Sequence, residues 1–169
     1  AKGCLTHAVE PVYHGSTACV RQPLALAGRD NLDFGKGFYV TDIKEQAERW
    51  ALRLSAQRQM SAVLNEYELN LDVIRQEFRY LKFEAYDIRW LEFIVKSREG
   101  MMPWSDYDLV EGGVADDRVI DTVEAYINGM MTVEMALGRL AMHQPNNQFC
   151  LLNQDLIDSH LHFISSNVL

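Results

Sequence analysis

An α+β fold built from antiparallel or split sheets with flanking helices is predicted by three features of this chain. Extended segments are scattered among helical ones without the steady strand, helix, strand rhythm of a doubly wound sheet. Residues 63–71 alternate, with Val63, Tyr67, Leu69 and Leu71 on one side and Glu66, Glu68, Asn70 and Asp72 on the other, the period of a half-solvated strand. Ile43, Ala47, Trp50, Ala51 and Leu54 recur instead at helical spacing on one face. The 169 residues suit one domain, 1–169, and the 48% hydrophobic content supplies a core without disulfides.

Taken in order, residues 1–11 read as an irregular lead-in, closed by Pro11, which favours extended geometry next to it. A strand over 12–16 then delivers His14 to a Gly15-Ser16 turn, where a missing Cβ lets a ligand approach the backbone. The passage through Gln22-Pro23 and Ala27-Gly28-Arg29-Asp30-Asn31 is long enough for a binding loop. Gly35 and Gly37 precede a strand over 38–41. Asp42 with Glu45 three positions on is a capping pair for a helix reaching about Gln59. An unassigned aromatic passage through Phe78, Tyr80 and Phe83 follows the alternating strand. Asp87 then caps a helix that buries Trp90, Leu91, Ile94 and Val95 and stops near Gly100 and Pro103. A strand over 107–110 leaves by Gly112 and Gly113 into an acidic corner, Ala115-Asp116-Asp117. That corner starts a helix through Val119, Ile120, Val123, Tyr126 and Ile127, ended by Asn128-Gly129. A helix from Thr132 to about Met142, a strand over 148–152 and a closing strand over 162–165 complete the chain.

The net charge of -8 disfavours indiscriminate binding to nucleic acid or anionic membrane. Arg21, Arg29, Lys36, Arg49, Arg53 and Arg58 nevertheless gather around the first two strands, which leaves room for a phosphate-bearing ligand. For Arg49, Arg53 and Arg58 a solvated helix face is the plainer reading. Cys4, Cys19 and Cys150 are odd in number and unevenly spaced, so they read as small buried hydrophobes in a reducing compartment. With neither a signal peptide in 1–10 nor an apolar span, the expectation is a soluble cytoplasmic protein with no membrane partner.

Several motifs are coincidental. Gly35-Lys36-Gly37 opens a strand rather than a helix and lacks the third glycine of a dinucleotide fingerprint. Asp33-Phe34-Gly35 copies a kinase triplet with none of the kinase's upstream parts. His160 and His162 have no third ligand at metal spacing, so no metal is expected. Met101-Met102 and Met130-Met131 read as core filler.

One constellation stands out: Tyr13-His14-Gly15-Ser16, Gly35-Lys36-Gly37-Phe38-Tyr39, Gln46-Ala47, Trp50, Val114-Ala115-Asp116-Asp117 and Asn147-Gln148-Phe149-Cys150. It resembles the ADP-ribosyltransferases of the diphtheria-toxin and poly(ADP-ribose) polymerase type, with a His on the first strand, a Tyr on the second and a Glu on a later one. More closely it resembles an uncharacterised bacterial family of small stand-alone proteins often found beside a short partner gene.

The resemblance implies an ADP-ribosyltransferase-like domain of split antiparallel sheets that uses NAD as co-substrate without a metal. His14 would bond the nicotinamide ribose hydroxyls, and the Gly15 backbone would pair with the carboxamide. Tyr39 would stack on the ring, with Trp50 as the second aromatic wall. Ala47 replaces the family's carboxamide-binding hydroxyl, for which Ser16 or Gln46 would substitute. Gly37 belongs to the lined entrance, and Arg29 would meet the diphosphate. Gln148 replaces the family's Glu. An amide bonds a ribose hydroxyl without charge and takes no proton, so a base must come from elsewhere, with Asp116 and Asp117 as the candidates.

Three functions are compatible with this pattern. The first is mono-ADP-ribosyl transfer to a macromolecular acceptor, protein or nucleic acid, by the toxin of a toxin–antitoxin pair held in check by a small antitoxin protein. The others are a non-catalytic NAD-binding or partner-binding module and an NAD glycohydrolase.

Overall fold

The computed structural model describes residues 9–27 and 33–169. In chain order these form β1 (Glu10–Ser16), β2 (Phe38–Thr41), α1 (Lys44–Arg58), β3 (Val63–Leu69), α2 (Leu71–Glu77), β4 (Tyr80–Lys82) and α3 (Ile88–Arg98), then β5 (Leu109–Gly112), α4 (Ile120–Ile127), α5 (Val133–Leu140), β6 (Gln148–Leu151), α6 (Gln154–His160) and β7 (Leu161–Val168). A 3-10 turn, Pro103–Asp106, lies between α3 and β5. The strands make one mixed sheet in the order β4-β5-β6-β2-β1-β3-β7. Among the described strands only β4 and β5 pair in parallel. The fold is α+β as expected, but the split is a pinch: β1 and β2 register at Tyr13↔Thr41 alone. On its other edge β1 pairs with β3 along its whole length, from Glu10↔Leu69 to Ser16↔Val63.

Paired residues project to the same face of a sheet, and each face here carries its own core. Val12, Phe38, Val40, Tyr67, Phe149 and Leu151 on one face pack with Leu71 and Ile74 of α2 and Leu156 and Ile157 of α6. Tyr39, Val110 and Cys150 on the other pack with Trp90, Leu91 and Ile94 of α3, Val123 of α4 and Leu140 of α5. Helix α1 lies against β1 on this second face, where Ala47 and Ala51 are buried. Two-sided cover explains why β3 is not half-solvated: Val63, Leu64 and Asn65 are consecutive buried residues. Asn65 is tolerated there because its amide donates to the carbonyls of His14 and Ala18 and accepts from Val20 N–H.

Several local readings change. Helix α1 is capped at Ile43 with no side-chain bond. The hydroxyl of Thr41, not Asp42, accepts from Ile43 N–H at 3.1 Å. Asp42 instead accepts from the amide of Asn147. Asp87 and Thr132 do cap α3 and α5, accepting from Trp90 and Met135 N–H. Strand β3 ends at Leu69 because Leu71 opens α2, whose Leu71 and Ile74 share a buried side. Strand β5 begins two residues later than expected, and β7 is longer at both ends. His160 ends α6 whereas His162 lies on β7, so the two do not share a strand. Cys150 is buried and Cys19 exposed, while Cys4 lies outside the described residues. Met101, Met102 and Met130 are 64%, 52% and 80% exposed and are not core filler. Met131 is half-buried and packs against the second core.

Candidate functional site

The singled-out runs meet where β1, β2 and β6 lie side by side. His14 Nδ1–H donates to the carbonyl of Tyr39 on the neighbouring strand at 2.8 Å, which makes Nε2 the acceptor atom of the neutral ring. Its ring lies 4.4 Å from that of Phe38. Strand β6 completes the set, with Tyr39↔Cys150 and Thr41↔Gln148 in register. Gly112 of β5 stands on the far side of Gln148. Gly112, Gln148, Thr41 and Tyr13 therefore form one row across four strands, and Tyr39 sits on the same face one step along β2. The His14 ring, packed on Phe38, belongs to the opposite face, and its bond to Tyr39 ends on the backbone carbonyl at the pinch.

Tyr39 is 9% exposed, and its hydroxyl donates to Gly35 O at 2.5 Å. Trp50 is partly exposed on α1, with the Arg53 guanidinium 5.8 Å from its ring. Gln46 Nε2 donates to Asn146 O at 2.8 Å and ties α1 to the approach of β6. Ser16 is occupied locally, accepting from Ala18 N–H. Arg29 lies outside the described residues. Arg21 stacks over Phe163, away from this row, and Lys36 is exposed.

The glycines suggest room for a ligand, but protein atoms fill that room. A Cβ on Gly15 would stand 2.1 Å from the carbonyl oxygen of Ala47, so this glycine lets α1 settle onto β1. A Cβ on Gly37 would meet Cys150 Sγ and Leu151 O, both at 2.7 Å. Gly35 has φ +87 and lies under the Trp104 indole, 2.3 Å from its added Cβ. Cys150 is sealed beneath the loop, its Sγ–H directed at the carbonyl of Phe34, and burial pushes its thiol up to about 12 although the neighbouring Tyr39 side chain opposes the shift. Such a thiol is inert at neutral pH.

The acidic corner adjoins the row from the β5 side. Asp116 is held by Arg118 through Nε and Nη2 and by the amide of Asn146 at 3.0 Å. Asn146 also accepts from Val114 N–H. Asp117 is exposed. Tyr86 lies behind this corner, its phenol raised to about 12 by burial and then by the charge of Asp116. Buried Asp33, which sequence reasoning set aside as a kinase coincidence, joins the two runs. Its carboxylate accepts from Arg98 Nη2 at 2.9 Å and from Ala115 N–H at 2.8 Å. Asn146 and Thr41 were also missed, although polar residues at the ends of buried strands are the signal that would have marked them. Among the described residues no group of three His, Cys, Asp or Glu side chains could hold a metal ion. No helix there is long and apolar enough to cross a membrane.

This row of polar groups on a sheet pinched beside it defines a candidate ligand site. The chain belongs to a family described as "Protein of unknown function (DUF3990)", whose model matches residues 11–163. No curated protein and no solved structure matches it.

Proposed function

We propose that the protein is an NAD-dependent mono-ADP-ribosyltransferase acting on a macromolecular acceptor. The observation that carries this reading is the His14, Tyr39 and Gln148 set on three adjacent strands, with His14 bonded to the Tyr39 carbonyl and Gln148 one register step from Tyr39. Nicotinamide would lie on the Tyr39 and Gln148 face, walled by Trp50, and the ribose would turn through the pinch towards His14 Nε2. Breaking the glycosidic bond sends its electron pair to the nicotinamide nitrogen and leaves oxocarbenium character on the ribose. The acceptor's nucleophilic atom then bonds to that carbon, and its proton passes to a base or to water. Rigid placement of the sugar and ring supplies most of the help. Gln148 would orient a ribose hydroxyl. Asp116, already bonded to Arg118 and Asn146, suits the base role less than exposed Asp117. Control by a small antitoxin and a cytoplasmic location belong to the same proposal.

A non-catalytic NAD-binding module is favoured by two specific observations: the uncharged Gln148, and a Tyr39 ring almost wholly covered with its hydroxyl engaged. The discriminating experiment is incubation with labelled NAD and cell lysate, followed by parallel protease and nuclease digestion. Macromolecular label together with released nicotinamide supports transfer, and its digestion pattern identifies the acceptor class. Free ADP-ribose alone indicates a glycohydrolase, and intact NAD that nevertheless binds indicates the module.

A further inference from the structure

Glu111 is 3% exposed and has no part in the proposed chemistry. It precedes Gly112, the β5 partner of Gln148, and pairs with Phe149, so its side chain lies on the face opposite Gln148. There it accepts a hydrogen bond from the Tyr80 hydroxyl. Arg75 Nη2 and Lys82 Nζ stand 3.9 Å from its two oxygens. It also meets Asn147, whose Nδ2 is 3.2 Å from Oε2. The same nitrogen is 3.3 Å from each carboxylate oxygen of Asp42. The Asn147 carbonyl accepts from Thr41 Oγ1 at 2.9 Å.

Asn147 thus clips three strands at the row that carries Gln148. Thr41 and Gly112 flank Gln148 in register, and Asn147 binds Thr41 directly, Asp42 just after it and Glu111 just before Gly112. A primary amide suits the place because it carries two N–H groups and no charge, one for each carboxylate. An Asp of the same shape would put three carboxylates together with no donor between them. The surroundings already strain towards that outcome: Glu10 close by has its carboxyl raised by burial first, then by the charges of Asp42 and Glu111.

We infer that Asn147 is the positioning residue that fixes Gln148 in the row, acting as a neutral donor between Asp42 and Glu111. This rests on the transferase reading for its consequence in turnover, but not for its consequence in strand geometry. Three full-length variants test both: Asn147→Asp, Asn147→Ala, and the double variant Asn147→Asp with Glu111→Gln, in which the new amide can donate to the new carboxylate. Hydrogen exchange reports the geometry. Asn147→Asp should speed exchange across β6 while leaving the β1–β3 ladder protected, and the double variant, which relieves the repulsion at Glu111 but not at Asp42, should restore part of the protection. Nicotinamide release reports the consequence. Asn147→Asp should lower kcat roughly tenfold to a hundredfold, as a misplaced catalytic group does, with little change in KM and partial recovery in the double variant. Unchanged β6 exchange in Asn147→Asp, or equal loss in the single and double variants, overturns the inference. If the unaltered protein releases no nicotinamide, the transferase reading fails, and the exchange pattern still decides whether Asn147 clips the strands.

Discussion

The two edges of β1 differ sharply. Towards β3 it is laddered from end to end, whereas towards β2 it registers at one pair. Consecutive pairing holds strands together whatever they do, so the β3 edge needs no functional explanation. A strand that abandons pairing in mid-sheet leaves backbone donors and acceptors that must be satisfied by side chains, water or a ligand. Near the pinch, side chains do part of this work, since His14 reaches the Tyr39 carbonyl across it. His14 and Tyr39, singled out in the sequence, flank this thin edge, and Gln148 stands one strand further on.

Breaking the stronger packing should have the largest effect. Gly15→Val places a Cβ into the Ala47 carbonyl and forces α1 off β1. It should cost about 3 kcal/mol or more, seen as a lowered denaturation midpoint and loss of every site-dependent signal. Gly100→Ala is the control, since nothing lies within 4 Å of its Cβ and only the positive φ opposes it. Next comes the pinch itself. Gln148→Ala should lower nicotinamide release on the order of a hundredfold while the fold persists, and Gln148→Glu should keep part of the activity because it retains an acceptor. Wild-type turnover in Gln148→Ala would remove Gln148 from the site.

A third test lies at the far end of β5 and β6. Burial alone would raise the carboxyl of Asp108, but hydrogen bonds from Arg79 N–H, the Asn153 amide and the Arg79 guanidinium bring it below the ordinary value. Its stabilisation is therefore present above the unfolded Asp value and lost as pH falls through the folded one. Asp108→Asn should lose about 1–3 kcal/mol at neutral pH and show a flatter acid limb, measured by denaturant titration at several pH values. The smallest effect is expected at Glu10, whose raised carboxyl has the opposite sign. Its stabilisation is present below the unfolded Glu value and lost as pH rises through the folded one. Glu10→Gln should then slightly raise the denaturation midpoint at neutral pH and do nothing at acid pH.

Legibility followed the scale of the feature. The strand at 38–41 and the helices capped by Asp87 and Thr132 were readable because periodicity and caps are local. Helices α2 and α6, seven residues each, and the three-residue β4 are too short for a period to register. In α2 the alternation of β3 also runs past Leu69 and disguises the change. The candidate site was half legible. Residue types marked His14, Tyr39 and Gln148, but a glycine announces only the lack of a Cβ and not what occupies the space. At Gly15, Gly35 and Gly37 the occupant is α1, Trp104 and β6 respectively. Asp33 and Asn147 reach partners such as Arg98 and Glu111, 65 and 36 residues away, which no local pattern encodes.

On the proposed reading NAD binds at the pinch between β1 and β2. Calorimetric titration with NAD of the unaltered protein, His14→Ala and Tyr39→Ala, each checked for an unchanged fold, tests it most directly. The expected result is measurable binding that is lost or greatly weakened in both variants. Equal affinity in all three proteins would contradict it.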